Sequence, residues 1–245
     1  MITRHIPNII TLLNLFCGCT GIVLALSTPH ELFGAALMIP LAAILDYFDG
    51  FAARLLHVKS ELGKQLDSLA DVVTFGVLPA VLMYVRLKGL VTDSELDFYT
   101  YIKCAPVFLV AMFSALRLAK FNIDTRQTQG FIGMPTPANA LFVAGLFLTL
   151  YGQQNISFLN TFVNPVFIYA YSVIASYIMI AEIPMLSLKF SSFDFASNQM
   201  RYFLLVGSVV FLVISAIFGF TFLGFSLSIL YYIVLSIITF ISKKA

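Results

Sequence analysis

Tryptophan is absent from the 245-residue chain, cysteine occurs only three times, and charged side chains make up 11% of the residues. A typical soluble domain carries about 25% charged residues, so this composition argues against a soluble globular protein. Cys17, Cys19 and Cys104 lie in apolar stretches with no histidine nearby, which indicates packing residues rather than a metal site. No internal repeat or polar linker divides the chain, which predicts one membrane domain over residues 1–245.

Apolar residues dominate instead, at 60% of the chain, and the mean hydropathy is +0.96. Apolar stretches of about 18 or more residues can cross a bilayer as helices. The sequence therefore predicts an all-α integral membrane protein, a polytopic bundle of six to eight transmembrane helices. A catalytic core is expected at about residues 6–190, with additional C-terminal transmembrane helices at about 200–243. The candidate spans lie near residues 8–27, 32–53, 66–87, 98–119, 136–152, 162–188, 202–220 and 221–242.

The distribution of lysine and arginine predicts the orientation. With the N-terminus inside and eight spans, eleven basic residues fall on the inner side, and only Arg86, Lys88 and Lys103 fall outside. This predicts a multi-pass protein of the cell (inner or plasma) membrane, with the N-terminus and the active site cytoplasmic. The first apolar stretch is longer than that of a secretory signal and no clear cleavage site follows, so an uncleaved first helix is expected.

Four carboxylates lie at the inner ends of the second and third spans. They require an explanation, because an unpaired carboxylate in a membrane-spanning segment costs free energy. Asp46 and Asp49 are three residues apart, and Asp67 and Asp71 are four apart, so each pair lies on one helix face. Antiparallel packing of the two helices lets the four acids converge. Oxygen ligands of this kind suit two Mg²⁺ or Mn²⁺ ions, and such ions commonly meet phosphates.

Small and basic neighbours fit a phosphate ligand. Gly50, Ala53 and Gly63 are small, so a flat base or a phosphate could approach the helices closely. Arg54 supplies a planar, permanently charged hydrogen-bond donor. Intramembrane acids also line ion paths, however, and small residues also serve helix packing. On the acids alone, an enzyme and a transporter are equally good interpretations.

The complete spacing is Asp46-x-x-Asp49-Gly50-x-x-Ala53-Arg54, eight residues, then Gly63-x-x-x-Asp67-x-x-x-Asp71. This pattern resembles, without a departure, the signature of the CDP-alcohol phosphotransferase family. Within the family, four segments are similar to the branch that uses serine as its acceptor. They are IPNIITLLNLFCG (6–18), LDSLADVVTFGVLPA (66–80), LRLAKFN (116–122) and FIGMPTPANA (131–140).

The resemblance implies that the serine hydroxyl attacks the lipid-bearing phosphorus of CDP-diacylglycerol and that CMP leaves. It implies that Asp46, Asp49 and Asp67 hold the metals, and that Asp71 is both a ligand and the general base. It also implies a homodimer, with membrane lipid as a partner and no nucleic acid.

The resemblance further implies which residues bind the CDP-lipid. Gly50 and Ala53 are expected to border the cytidine, and Arg54 is expected to contact phosphate. Asn8 and Thr11 are polar where lipid would be expected, so they either touch the nucleotide, form an interhelical hydrogen bond or mark a helix start. The full candidate set is Asn8, Thr11, Gly50, Ala53, Arg54 and Gly63.

The serine carboxylate needs a basic partner, and Arg117, Lys120 and Arg126 are the candidates. The equally good alternative is that these residues anchor the inner interface beside anionic lipid. The acceptor could also be glycerol 3-phosphate, an inositol phosphate or choline. More remote alternatives are an aspartate-rich prenyltransferase, against which the glycine, alanine and arginine spacing argues, and a cation or proton transporter.

Overall fold

The computed structural model describes residues 5–58, 60–92, 98–124, 126, 131–152, 157–186 and 195–244, and these residues are almost entirely helical. Arg4, Lys59 and Lys189, which the orientation argument counts, lie outside the described residues. The α-helices are α1 (Ile6–Ser27), α2 (Leu32–Leu55), α3 (Glu61–Asp71), α4 (Leu78–Val91), α5 (Phe98–Cys104), α6 (Leu109–Ile123), α7 (Thr136–Gly152), α8 (Ser157–Phe162), α9 (Pro165–Ile180), α10 (Phe195–Ile217) and α11 (Leu223–Lys244).

Six helical segments of the described chain are long and apolar enough to cross a membrane. They are Ile6–Ser27, Pro29–Leu55, Glu61–Val91, Phe98–Ile123, Asn198–Ile217 and Leu223–Ser242. Two shorter apolar helices, α7 and α9, account for the other two predicted stretches. The predicted all-α, multi-pass membrane protein is thereby confirmed. The stretch predicted at 162–188 is shorter than expected, because the backbone becomes extended at Ala181 and Pro184 follows.

Close helix packing brings α1 against the third span. A Cβ added at Gly18 would lie 2.4 Å from Thr74 Oγ1, and one added at Gly21 would lie 2.6 Å from a Leu78 methyl carbon. The two glycines therefore let α1 pack directly on the helix that follows Asp71.

The third span changes its helix type directly after Asp71. It begins at Glu61, and the preceding N-cap residue, Ser60, accepts a hydrogen bond on its side-chain oxygen from Gly63 N at 2.9 Å. A π-helix occupies Val72–Val77 before α4 resumes the α-helical pattern. Such wide turns within helices are frequent at functional sites.

The two ends of the bundle can be told apart by their polar links. At one end, Lys64 Nζ donates to the Asn122 carbonyl oxygen at 2.8 Å, and Arg126 pairs with Glu182 at 3.4 Å. At the other end, Arg86 Nη2 donates to Asn160 Oδ1 at 3.2 Å. We refer to the first end, which also holds the acidic residues of α2 and α3, as the acidic end.

A two-stranded antiparallel sheet lies at the acidic end. Strands β1 (Phe131–Ile132) and β2 (Pro184–Met185) pair antiparallel, with Phe131 opposite Met185. Gly133 follows β1 at φ +76°, and a Cβ there would lie 2.3 Å from the Met179 carbonyl oxygen. Glycine is therefore required at this turn.

Candidate functional site

Three carboxylates from two helices converge at the acidic end. Asp46 and Asp49 come from α2 and Asp67 from α3, and one oxygen of each lies within 4.8 Å of the other two. Asp49 is only 6% exposed. Among the described residues, none of the three forms an ion pair with lysine or arginine. We refer to Asp46, Asp49 and Asp67 as the acidic triad.

The donor set of the acidic triad fits a hard divalent cation. Carboxylate oxygens are the ligands that Mg²⁺ and Mn²⁺ prefer. Asp67 Oδ1 is buried and has no hydrogen-bond partner among the described residues. A buried, unpaired carboxylate oxygen beside two further acids is costly unless a cation binds there.

Asp71 lies outside the triad, one helical turn beyond Asp67. It is 7% exposed, and its Oδ1 accepts a hydrogen bond from Asn14 Nδ2 at 3.3 Å. It is close enough to the triad to interact electrostatically with Asp46 and Asp67. The structure thus separates the four predicted acids into three that share a centre and one that a helix α1 side chain orients.

Thr11 on α1 forms a hydrogen bond with one carboxylate of the triad. Its Oγ1 lies 2.7 Å from Asp49 Oδ2 and 3.0 Å from the Pro7 carbonyl oxygen. The hydroxyl is therefore a hydrogen-bond donor for the Asp49 carboxylate, the interhelical role that was one of the two alternatives for this residue. Thr11 also borders the cavity described next, so contact with a ligand is compatible with that role.

A cavity of about 480 Å³ opens beside the triad. A Cβ added at Gly50 would meet nothing within 4 Å, so the glycine faces open space. Gly63 is closer to its neighbours, and a Cβ there would lie 3.2 Å from Asn8 Oδ1. Seven predicted site residues line this cavity, namely Asn8, Thr11, Asp49, Gly50, Ala53, Gly63 and Asp67. Arg54 is exposed and does not line it.

The three basic candidates, Arg117, Lys120 and Arg126, line a second cavity, of about 350 Å³. Its wall also contains the acidic residues Asp124 and Glu182. We refer to it as the basic cavity. Its lining therefore carries three basic and two acidic side chains.

Arg117 is the buried cation of this cavity, with 5% of its surface exposed. Its guanidinium lies 5.5 Å from the Phe121 ring centroid and 5.6 Å from that of Phe131. Nη1 donates to Thr136 Oγ1 at 3.5 Å, whereas Nε and Nη2 have no partner among the described residues. These two atoms form one edge of the guanidinium, the arrangement that binds a carboxylate through two hydrogen bonds.

The other two basic candidates differ from Arg117. Lys120 is exposed. Arg126 is also exposed, and its Nη2 lies 3.0 Å from Asp124 Oδ2 and 3.4 Å from Glu182 Oε1. Hydrogen bonding to Asp124 raises the pKa of the Arg126 guanidinium, which therefore stays cationic and paired. Arg117 is thus the buried candidate, and its charge has no ion pair among the described residues.

Hydrogen bonds join α3, which carries Asp67, to α6, which carries Arg117. Asn122 Nδ2 donates to Ser68 Oγ at 2.7 Å, and Lys64 Nζ donates to the Asn122 carbonyl oxygen at 2.8 Å. Ser68 lies directly after Asp67, and Asn122 lies near the end of α6. The link therefore ties the position of the acids to that of the basic cavity.

The sequence analysis assigned no role to Asn14, Ser68, Asn122 or Thr136. Asn14 could have been found, because it is polar within an apolar span and lies three residues after Thr11, on the same face of α1. The others gave no signal, since their partners come from distant segments.

Comparison with known proteins assigns the chain to a family. The sequence profile described as CDP-alcohol phosphatidyltransferase matches residues 4–178. The chain belongs to this family. The predicted family is therefore confirmed, and an enzyme rather than a transporter is the supported class. The matched residues include the whole lining of the cavity beside the triad, and they end before Met179, Ile180 and Glu182 of the basic cavity and before α10 and α11.

Curated relatives extend this comparison. A CDP-diacylglycerol–serine O-phosphatidyltransferase of Bacillus subtilis (strain 168) is 37% identical over 181 residues, which cover 74% of this chain and 89% of the relative. A protein with the same name from Mycobacterium leprae (strain TN) is 38% identical over 148 residues, 58% of this chain and 46% of the relative. An archaetidylserine synthase of Methanothermobacter thermautotrophicus is 32% identical over 161 residues, 63% of each chain. The chain thus spans about half the length of the mycobacterial relative.

Proposed function

We propose that the chain transfers a phosphatidyl group from CDP-diacylglycerol to the hydroxyl of L-serine, giving phosphatidylserine and CMP. The observation that carries this proposal is the acidic triad beside a cavity whose glycine wall faces open space. The names of the relatives support the donor and the acceptor, because two of those described above are serine phosphatidyltransferases.

The triad is proposed to hold two divalent cations, Mg²⁺ or Mn²⁺, with Asp71 as a further ligand. When bound, these ions offset the negative charge of the diphosphate and of the phosphorus centre during transfer. Gly50, Ala53 and Gly63 leave room for the cytidine and the phosphates, and Asn8 borders the same space. Arg54 is proposed to contact phosphate from outside the cavity wall.

Asp71 is proposed to be the general base. The bond between the serine oxygen and phosphorus forms as the bond from phosphorus to the CMP oxygen breaks, and the serine proton passes to Asp71. Asn14 donates to Oδ1 and so holds the carboxylate in one orientation, while Oδ2 has no hydrogen bond among the described residues. A carboxylate oriented in this way can accept the proton once the hydroxyl is within hydrogen-bond reach.

The basic cavity is proposed to bind the serine. The free Nε and Nη2 edge of Arg117 suits the serine carboxylate, and Asp124 and Glu182 offer partners for its ammonium group. Three basic and two acidic side chains give the lining a nearly balanced charge, which suits a zwitterionic acceptor better than a phosphate dianion such as glycerol 3-phosphate or an inositol phosphate. Lys120 and Arg126 are proposed to complete the positive side of the cavity.

A direct assay tests the reaction and the acceptor separately. Purified protein is incubated with CDP-diacylglycerol, Mn²⁺ or Mg²⁺ and labelled serine, and CMP and labelled lipid are both measured. Parallel reactions replace serine with glycerol 3-phosphate or an inositol phosphate. CMP release that requires serine supports the proposal. The absence of CMP with every acceptor would reject the reaction, and CMP release with other alcohols alone would reject serine.

The acidic end is proposed to face the cytoplasm of a cell whose inner or plasma membrane holds the protein, and the active form is proposed to be a homodimer. The positive-inside bias supports the orientation. A Glu61→Cys variant tests it, because that exposed position at the start of α3 should react with an impermeant thiol reagent only after the membrane is opened. Labelling of intact cells at this position would reverse the orientation.

A further inference from the structure

Among the described residues that line the cavity beside the triad, one is basic, and it is Lys64 on α3. The acidic residues of the same lining are Asp49, Glu61 and Asp67, so the wall carries more negative than positive charge. Arg54, the basic residue of the sequence motif, is exposed and lies outside this lining. The residue of the cavity wall that offers a positive charge to a ligand is therefore Lys64.

The local structure of α3 fixes where the Lys64 side chain starts. Lys64 lies three residues before Asp67, so the two residues share one face of the helix. The backbone of this first turn is held in place, because Gly63 N donates to Oγ of the N-cap residue Ser60 at 2.9 Å. The part of Lys64 that can move is thus its four-carbon stem, which carries the ammonium.

The Lys64 ammonium contacts a neutral group rather than an acid. Its Nζ donates to the Asn122 carbonyl oxygen at 2.8 Å. Asn122 is the second-last residue of α6, where carbonyl oxygens have no partner within the helix. An ammonium has three N–H donors, so this bond leaves two of them for a ligand.

The neighbouring acids do not use the charge of Lys64. Glu61 lies three residues before Lys64 and Asp67 lies three residues after it, so an acid flanks the lysine on each side along one helix face. Among the described residues, neither acid forms an ion pair with it. The wall of the cavity thus presents a free cation and, one turn away, carboxylates that suit metal ions.

We propose that Lys64 binds the diphosphate of the CDP-lipid, with two of its N–H groups donating to phosphate oxygens while the third stays on the Asn122 carbonyl oxygen. This inference rests on the proposed function, because it assigns a protein cation to the diphosphate of that donor. Lysine is a common phosphate ligand, since its ammonium is a compact point charge. The bond to Asn122 would also hold α6, which carries Arg117, against α3 when the donor is bound.

The test compares Lys64→Met and Lys64→Arg with the control Lys103→Met in full-length protein. Methionine keeps an unbranched side chain and removes the charge, whereas arginine keeps the charge. Lys103 is an exposed lysine near the start of the span Phe98–Ile123, at whose other end Asn122 lies.

The expected effect is on the affinity for the donor. With serine saturating, Lys64→Met should raise the KM for CDP-diacylglycerol about tenfold, because it loses hydrogen bonds to a charged group. Its kcat should stay within about twofold, since the contact is made both before and during transfer. Lys64→Arg should keep the KM for CDP-diacylglycerol within about threefold of the wild-type value, and Lys103→Met should match the wild type.

A further measurement separates phosphate binding from helix packing. Binding of CDP in the presence of Mn²⁺ needs no turnover, and Lys64→Met should weaken it about tenfold. If Lys64 only held the end of α6, its loss would change the KM for serine or the thermal stability and leave CDP binding unchanged. An active wild-type protein that shares its KM for CDP-diacylglycerol with Lys64→Met would overturn the inference alone. A wild-type protein that releases no CMP with any acceptor would overturn the proposed function, and the inference with it.

Discussion

Asn14 Nδ2 lies 3.3 Å from Asp71 Oδ1, and this hydrogen bond joins the middle of α1 to the last residue of α3. Asn14 is fully buried, and its own Oδ1 has no partner among the described residues. An asparagine that leaves one of its polar atoms unpaired in an apolar span is costly. Its position is explained if it orients the proposed general base.

The first prediction concerns this hydrogen bond. Asn14→Leu keeps the volume and removes the donor, so Asp71 loses its fixed orientation. We expect kcat to fall at least about tenfold and Mn²⁺ affinity to fall less than kcat, because Asn14 contacts Asp71 and none of the three triad carboxylates. Initial rates and Mn²⁺ titrations measure the two effects. Asn160→Leu at the opposite end of the bundle is the control, and equal losses in both variants would contradict the orienting role.

The second prediction concerns Thr11 and Asp49. Thr11→Val removes the hydroxyl that lies 2.7 Å from the Asp49 carboxylate and keeps the branched shape. Loss of such a supporting hydrogen bond typically weakens metal binding about tenfold or more. The Mn²⁺ concentration for half-maximal activity should rise accordingly, and Thr11→Ser should restore it. A valine variant with a normal metal response would show that Thr11 serves helix packing alone.

The third prediction compares two glycines that both have open space beside them. A Cβ would meet nothing within 4 Å at Gly50 or at Gly89, but only Gly50 lines the cavity beside the triad. Gly50→Leu should therefore fill that cavity and raise the KM for CDP-diacylglycerol at least about tenfold. Gly89→Leu should have little effect, with both proteins equally stable in thermal melts. Similar KM values for the two variants would place the nucleotide elsewhere.

Much of the architecture follows from the sequence. The apolar stretches predicted the spans because a bilayer imposes a minimum helix length. The spacing of Asp46, Asp49 and Asp67 predicted a shared centre, and the structure brings these residues together. Their role as metal ligands, like every assigned site role, stays a prediction.

Other features depend on contacts that no local pattern encodes. The π-helix after Asp71 arises where the third span meets α1 and α6 at once. Arg54 belongs to the same motif as Gly50, yet its position on α2 leaves it exposed and outside the cavity.

Direct measurement of Mn²⁺ binding tests the central claim, which is that the acidic triad is a divalent-cation site. Mn²⁺ is titrated into the purified protein and the free ion is followed by electron paramagnetic resonance, for the wild type and for Asp67→Asn. We predict saturable binding in the wild type, release of the ion by a chelator with loss of CMP formation, and at least about a tenfold weaker affinity in Asp67→Asn. A wild-type protein that leaves all Mn²⁺ free, or an Asp67→Asn variant that binds it equally well, would contradict the account.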